Sequence, residues 1–126
     1  MKKKILIIDD EVDLVKLLDM RLKAENYFVL PLYTSSRAVE VAKRERPDLI
    51  LLDVVMPDKD GYEVCRELKA DQDTRGIPVI LFTAKTDAEE NLKEKYKAVH
   101  ADGYIVKTFS YDKLIAKINE VFSSKK

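Results

Sequence analysis

Five polar residues stand where apolar runs stop. Ile5-Leu6-Ile7-Ile8 ends at Asp9-Asp10, Leu49-Ile50-Leu51-Leu52 at Asp53, Val79-Ile80-Leu81-Phe82 at Thr83, and Tyr104-Ile105-Val106 at Lys107. If these runs are parallel strands of one sheet, three carboxylates, a hydroxyl and an ammonium share its carboxyl edge, where open α/β sheets bind their ligands. Carboxylates brought that close repel and raise one another's pKa values, a conflict that a divalent cation removes. A set of oxygen ligands without sulfur or imidazole selects Mg²⁺, Mn²⁺ or Ca²⁺. Of these, Mg²⁺ takes one or two carboxylates, keeps waters and shares a phosphate oxygen. A carboxylate beside it is also a nucleophile toward phosphorus, giving an aspartyl phosphate. The three equatorial oxygens of a transferring phosphoryl group then meet Mg²⁺, the Lys107 ammonium, and the Thr83 hydroxyl with a backbone N–H. Singly, each residue has a plainer role: Asp9 or Asp10 as a helix cap, Asp53 in a turn, Thr83 ending a strand, Lys107 as a solvated charge. Together at four strand ends, they favour chemistry.

The elements that must position them are legible in the same way. The four runs are short, continuous and rich in Ile, Leu and Val, as strands buried on both faces are. A fifth, Tyr27 to Leu32, contains Pro31, which cannot donate to a ladder and places this strand at a sheet edge. Helical stripes lie between: Leu14, Val15, Leu18 and Leu22; Ala38, Val41 and Ala42; Val64, Cys65 and Leu68; and Leu114, Ile115, Ile118, Val121 and Phe122. The stretch from Asp87 to Ala98 has only Leu92 and Tyr96 for an apolar face and is expected to be the least firmly packed helix. Asp60-x-x-Glu63 and Asp87-x-x-Glu90 resemble capping boxes. Pro47 and Pro78 precede the third and fourth strands. Five strand–helix alternations predict a doubly wound (βα)5 sandwich around a five-stranded parallel sheet. Right-handed crossovers with an edge second strand favour the order 2-1-3-4-5, the flavodoxin-like arrangement.

Size and composition fit one domain spanning residues 1–126, with 46% hydrophobic and 37% charged residues. Lys plus Arg equals Asp plus Glu at 23 each, so no net field draws the molecule to nucleic acid or membrane. The lysines at 2–4 and 125–126 read as solubilising ends. No apolar run is long enough to cross a bilayer, and the N-terminal run lacks a cleavage site. The single cysteine, Cys65, suits a reducing cytoplasm and a buried helical position. His100, the single histidine, has no partner constellation and reads as a loop residue.

The motifs Ile8-Asp9-Asp10-Glu11, Leu52-Asp53-Val54-Val55-Met56-Pro57-Asp58-Lys59-Asp60-Gly61, Phe82-Thr83-Ala84-Lys85 and Gly103-Tyr104-Ile105-Val106-Lys107, in this order, strongly resemble the receiver domain of bacterial two-component response regulators, of the single-domain chemotaxis type. The resemblance covers essentially the whole chain. It implies that Asp53 is the phosphoacceptor and that Asp10, Asp53 and the Val55 carbonyl bind Mg²⁺, with Asp9 assisting through water. It makes Thr83 and Tyr104 a switch pair and Lys107 the phosphate-binding lysine. It implies a sensor histidine kinase or phosphotransfer protein as donor. Output would pass through the surface of the fourth helix, fifth strand and fifth helix, to a downstream protein or a fused output domain. Such a protein turns over no metabolite, catalysing only its own phosphorylation and dephosphorylation. Monomer and phosphorylation-dependent homodimer both remain open, as do a stand-alone regulator and a receiver within a longer protein. No helix-turn-helix or basic stripe suggests direct DNA binding.

Two departures stand out. The family usually follows the lysine with proline through a cis bond, and Thr108 stands there instead. A cis bond before a non-proline residue costs about 2.5–4 kcal/mol, so a trans Lys107–Thr108 bond and a rearranged loop are expected. Val55 carries no polar group to orient water, while Lys85 is placed to lean over the phosphate, so slow self-dephosphorylation is expected. The stretch Ala98-Val99-His100-Ala101-Asp102 also lacks the usual Gly-Ala pair. The main alternative is a phosphorylation-insensitive interaction module of the same fold. A Mg²⁺ phosphohydrolase would want an acid at Val55, and a flavin phosphate would be repelled by Asp9-Asp10-Glu11.

Overall fold

In the computed structural model, which describes residues 2–83, 89–107 and 110–124 and only the helical backbone at 89–93, strands and helices alternate strictly. They run β1 (Lys4–Ile8), α1 (Val12–Ala24), β2 (Phe28–Leu32), α2 (Ala38–Glu45), β3 (Leu49–Asp53), α3 (Gly61–Ala70), β4 (Val79–Thr83), α4 (Glu89–Ala98), β5 (Gly103–Val106) and α5 (Tyr111–Ser124). All neighbouring strands pair in parallel in the order β2-β1-β3-β4-β5. This is the flavodoxin-like sandwich. Pro31 lies on the edge strand β2, opposite Ile7, where its missing N–H harms no inner ladder.

The continuous apolar runs split by period two between the sheet's faces. Ile5, Ile7, Leu49, Leu51, Ile80 and Phe82 pack with Val15, Leu18 and Leu22 of α1 and Leu114, Ile118 and Val121 of α5. Leu6, Ile8, Ile50, Leu52 and Leu81 pack with Ala38, Val41 and Ala42 of α2 and Val64, Cys65 and Leu68 of α3. Each buried Ile or Leu contributes about 1.5–3 kcal/mol, and those on β1 and β3 also anchor the sheet where the site hangs. Desolvation pushes the Cys65 thiol up to about 12, so it stays protonated at neutral pH. It is a core residue.

Helix ends account for the unusual stretch after α4. His100 takes a left-handed φ of 61°, its N–H donates to Lys97 O at 3.1 Å, and Ala101 N–H reaches back to Tyr96 O at 2.9 Å. This is a Schellman motif with histidine where glycine is usual. Asn26, at φ 70°, ends α1 in the same manner. The Asp60 carboxylate caps α3, accepting from Tyr62 N–H at 2.6 Å. Asp87, Lys85 and the Lys107–Thr108 bond lie outside the described residues, as do the Leu92 side chain and the C-terminal lysines. Among the described residues no helix is long and apolar enough to cross a membrane.

Candidate functional site

The strand order reverses between β1 and β3, and such a reversal opens a crevice at the carboxyl edge. Asp9 follows β1 directly, Asp53 is the last residue of β3, Thr83 the last of β4, and Lys107 follows β5. The ladder continues past these ends and fixes them. Asp9 N–H donates to Leu32 O at 3.0 Å, Val54 N–H to Phe82 O at 3.2 Å and Lys107 N–H to Thr83 O at 2.6 Å.

Asp9, Asp10 and Asp53 each aim one carboxylate oxygen into a common space, all three within 4.8 Å of one another. Asp9 and Asp53 are buried and Asp10 is exposed. Asp9 is the buried member of the pair and Asp10 the solvent-facing one, and both reach the same space from the loop that leaves β1. Neither caps α1, whose N-cap is Glu11; Asp9 Oδ1 instead accepts from Glu11 N–H at 2.9 Å. Asp9 Oδ2 is fully buried and receives no well-aligned hydrogen bond among the described residues; it faces the Lys107 ammonium at 3.0 Å as an ion pair.

The electrostatics show the conflict. Desolvation, then the Asp9 charge, raise the Asp53 pKa to about 6, against Lys107 and the Val55 N–H. Burial likewise raises Asp9, opposed by the Glu11 N–H and by Lys107. Burial works against the Lys107 ammonium, but Glu11, Asp9 and Asp53 more than offset it, and its pKa rises. Lys107 Nζ lies 3.4 Å from Asp53 Oδ1 and 2.5 Å from Glu11 Oε1, with the Phe82 ring beneath it at 5.3 Å. One ammonium serves three carboxylates. Oxygen-only, under-neutralised and buried at two of its three carboxylates, this donor set fits a hard divalent cation such as Mg²⁺.

The remaining candidates ring this centre. Thr83 is buried beside it on β4. Val55 N–H points to Asp53 Oδ1 at 3.4 Å while its side chain is 67% exposed. Tyr104 is half-buried on β5, its ring 4.9 Å from that of Tyr96 on α4.

Three features were not anticipated from the sequence. Glu11 contacts Lys107. The Tyr96 ring packs against that of Tyr104 at a tilt of 49°. Asp58 joins two loops: its carboxylate accepts from Thr34, Ser35 and Ser36, contacts that hold its pKa well below the usual carboxylate range. The hydroxyl-rich run Thr34-Ser35-Ser36 was the available signal, but nothing in it names a partner.

A doubly wound sheet with an acidic switch-point crevice defines a class of α/β domains that bind ligands at their strand ends, and comparison with known proteins narrows it. The model of the response regulator receiver domain family matches residues 5–119. The chain belongs to that family: it is a receiver domain of a two-component response regulator, a signalling switch rather than a metabolic enzyme. Among curated relatives, the ycf27 regulator of Porphyridium aerugineum is 40% identical over 120 residues, 95% of this chain and 48% of that protein. The chain thus spans about half the length of the curated relatives it matches. The BeF3-activated N-terminal receiver domain of RstA from Klebsiella pneumoniae is 32% identical with a TM-score of 0.83, covering 93% of this chain and 96% of that one. A CheY-like receiver domain protein from Methanospirillum hungatei is 26% identical with a TM-score of 0.88, covering 99% and 97%. Receiver domains of two-component systems work with histidine kinases and output domains, and generally bind Mg²⁺ at an acidic pocket.

Proposed function

We propose that residues 1–126 form one receiver domain that accepts a phosphoryl group on Asp53 from a histidine kinase or phosphotransfer protein. Mg²⁺ would be held by Asp10, Asp53 and the Val55 carbonyl, with Asp9 assisting through water. The observation that carries the reading is the convergence of three carboxylate oxygens within 4.8 Å, with the Lys107 ammonium 3.4 Å from Asp53.

Asp53, ionised, is the nucleophile: an oxygen lone pair forms the O–P bond while the donor's P–N or P–O bond breaks and its electron pair leaves with the donor. The cation, when bound, neutralises charge on the carboxylates and on one phosphoryl oxygen. Lys107 moves its ammonium from the carboxylates to a second oxygen, and the Thr83 hydroxyl with a backbone N–H meets the third. Thr83 and Tyr104 are the switch pair. Tyr104, on the edge strand β5 and packed against Tyr96 of α4 at a ring tilt of 49°, is placed to carry the change to an output surface of α4, β5 and α5. The partner there is a downstream protein or an output domain in the same chain.

Acetyl phosphate with Mg²⁺ is expected to yield a phosphoprotein, read by intact mass, that Asp53→Ala abolishes. Phosphorylation that survives in Asp53→Ala, or none in the wild type, overturns the reading; the second result favours an interaction module. Val55, exposed and apolar, offers attacking water no hydrogen bond, so dephosphorylation is slow. One added hydrogen bond in the transition state is worth about 0.5–1.5 kcal/mol, so Val55→Asn is expected to shorten the phosphoryl lifetime about 2- to 10-fold. An unchanged decay rate would refute that role.

A further inference from the structure

The loop from Val54 to Asp60 leaves β3 with the phosphoacceptor at its start and an exposed Val55 beside it. Gly61 N–H closes it onto Val54 O at 2.8 Å, and two further anchors hold it. At the near end Val54 N–H donates to Phe82 O on β4 at 3.2 Å, and Met56 is buried just beyond. At the far end lies Asp58. Its Oδ1 accepts from the Ser35 hydroxyl at 2.7 Å and more weakly from Ser35 N–H at 3.3 Å. Its Oδ2 accepts from Ser36 N–H at 2.8 Å and from the Thr34 hydroxyl. The Ser35 hydroxyl, buried at 1% exposure, also lies 2.6 Å from the Lys59 carbonyl, sharing its proton between two acceptors of the same loop. Two backbone N–H groups and two hydroxyls therefore converge on a single carboxylate from a turn more than twenty residues away in sequence. A surface carboxylate with four donors is an anchor rather than a solvated charge, since each charge-assisted bond adds geometric definition.

We propose that Asp58 is a positioning residue for the cation site: clamped to the Thr34-Ser35-Ser36 turn, it fixes the loop that presents the Val55 carbonyl beside Asp53. This rests on the reading of the site as a Mg²⁺-assisted phosphoryl acceptor. Asp58 touches neither cation nor phosphoryl group. Its effect passes through the loop backbone, as supports behind metal ligands do. The turn after β2 thereby becomes part of the site, although it contributes no ligand.

The clamp can be loosened without removing bulk. Asp58→Asn keeps the shape, but an amide nitrogen cannot accept, so one pair of donors loses its partner. Thr34→Val removes one hydroxyl at a half-buried position, and Thr34→Ser restores it. The experiment measures acetyl phosphate phosphorylation as a function of Mg²⁺ concentration, separating the Mg²⁺ half-saturation from the rate at saturating Mg²⁺, with thermal midpoints recorded alongside. Asp58→Asn is expected to raise the half-saturating Mg²⁺ roughly 10-fold and to leave the saturated rate within about twofold of wild type. Thr34→Val is expected to act in the same direction to a smaller extent, and Thr34→Ser to return the wild-type value. An unchanged Mg²⁺ half-saturation in Asp58→Asn, with or without a lower thermal midpoint, overturns the proposal and leaves the clamp a purely structural tie. A wild type whose phosphorylation ignores Mg²⁺ overturns the site reading itself and this inference with it.

Discussion

Asp53→Asn is expected to stabilise the metal-free protein at pH 7.5 by about 2 kcal/mol, roughly 8 °C in Tm, while abolishing phosphoryl acceptance. The cause is a buried carboxylate that must ionise next to Asp9. Its pKa stands at about 6, above the 3.8 of an unperturbed aspartate, chiefly through desolvation and then the Asp9 charge. Between those values the native state holds more of this proton than the unfolded state does, so stability falls as pH rises from about 4 to about 6 and stays at the lower level above. A shift near two units corresponds to an upper bound of about 3 kcal/mol. That figure already includes the attraction of Lys107, 3.4 Å away; the asparagine amide, buried in the same place, keeps part of the desolvation cost and brings the expected gain down to about 2 kcal/mol. An asparagine amide can still accept from Val55 N–H and can donate to Asp9.

The gain is therefore pH-dependent: near zero at pH 4 and complete above pH 6. Mg²⁺ should narrow it, because a ligand that binds only the native state stabilises the wild type more than a variant missing one carboxylate. The chain has no tryptophan, so urea unfolding followed by far-UV circular dichroism, with chelator and with Mg²⁺, is the suitable measurement. A variant less stable than wild type at pH 7.5, or a difference constant from pH 4 to pH 7.5, would contradict this account. The site is thus held together against its own electrostatics, with a buried charge the fold would do better without.

How much of this was legible in sequence follows from the physics of each part. Strands buried on both faces must be apolar throughout, so their ends are marked by the first polar residue. That single rule locates Asp9, Asp53, Thr83 and Lys107, and the edge proline Pro31 orders the sheet. The rule does not say which of Asp9 and Asp10 turns inward, which depends on strand register. Nor does it show that Lys107 is shared with Glu11, because side-chain competition for one ammonium leaves no periodic trace. His100 at a left-handed helix end was illegible for a different reason: the sequence offers a glycine as the usual marker, and histidine tolerates the same φ at a cost of about 1–2 kcal/mol. The Asp58 clamp joins two loops, and loop-to-loop contacts arise only once the sheet has brought the turns together.

Gly61→Ala is expected to be among the most damaging single-methyl changes in the protein, destabilising it by about 3 kcal/mol and slowing phosphorylation of Asp53 by roughly 100-fold. Gly61 has no positive φ; the reason for glycine here is space. An added Cβ would lie 2.2 Å from the Asp53 carbonyl oxygen, 2.7 Å from Val54 Cα and 3.0 Å from the Asp53 carbonyl carbon. All three are backbone atoms, so no side chain can swing aside. Gly61 N–H also donates to Val54 O at 2.8 Å, a bond that draws the first turn of α3 onto the end of β3. Relief requires either that α3 back away, breaking this bond and disturbing the Asp60 cap, or that the peptide of Asp53 itself shift. Either movement misplaces Asp53 relative to Asp9, Asp10 and Lys107, and a displacement near 1 Å at a reacting group costs about two orders of magnitude in rate. Gly76→Ala supplies the control, since a Cβ there meets nothing within 4 Å; its stability is expected to stay within about 0.5 kcal/mol of wild type. Urea unfolding and the rate of acetyl phosphate labelling, measured on both variants, test the contrast. If Gly61→Ala matched Gly76→Ala in both measurements, the close approach of α3 to the end of β3 would not be what holds Asp53 in place.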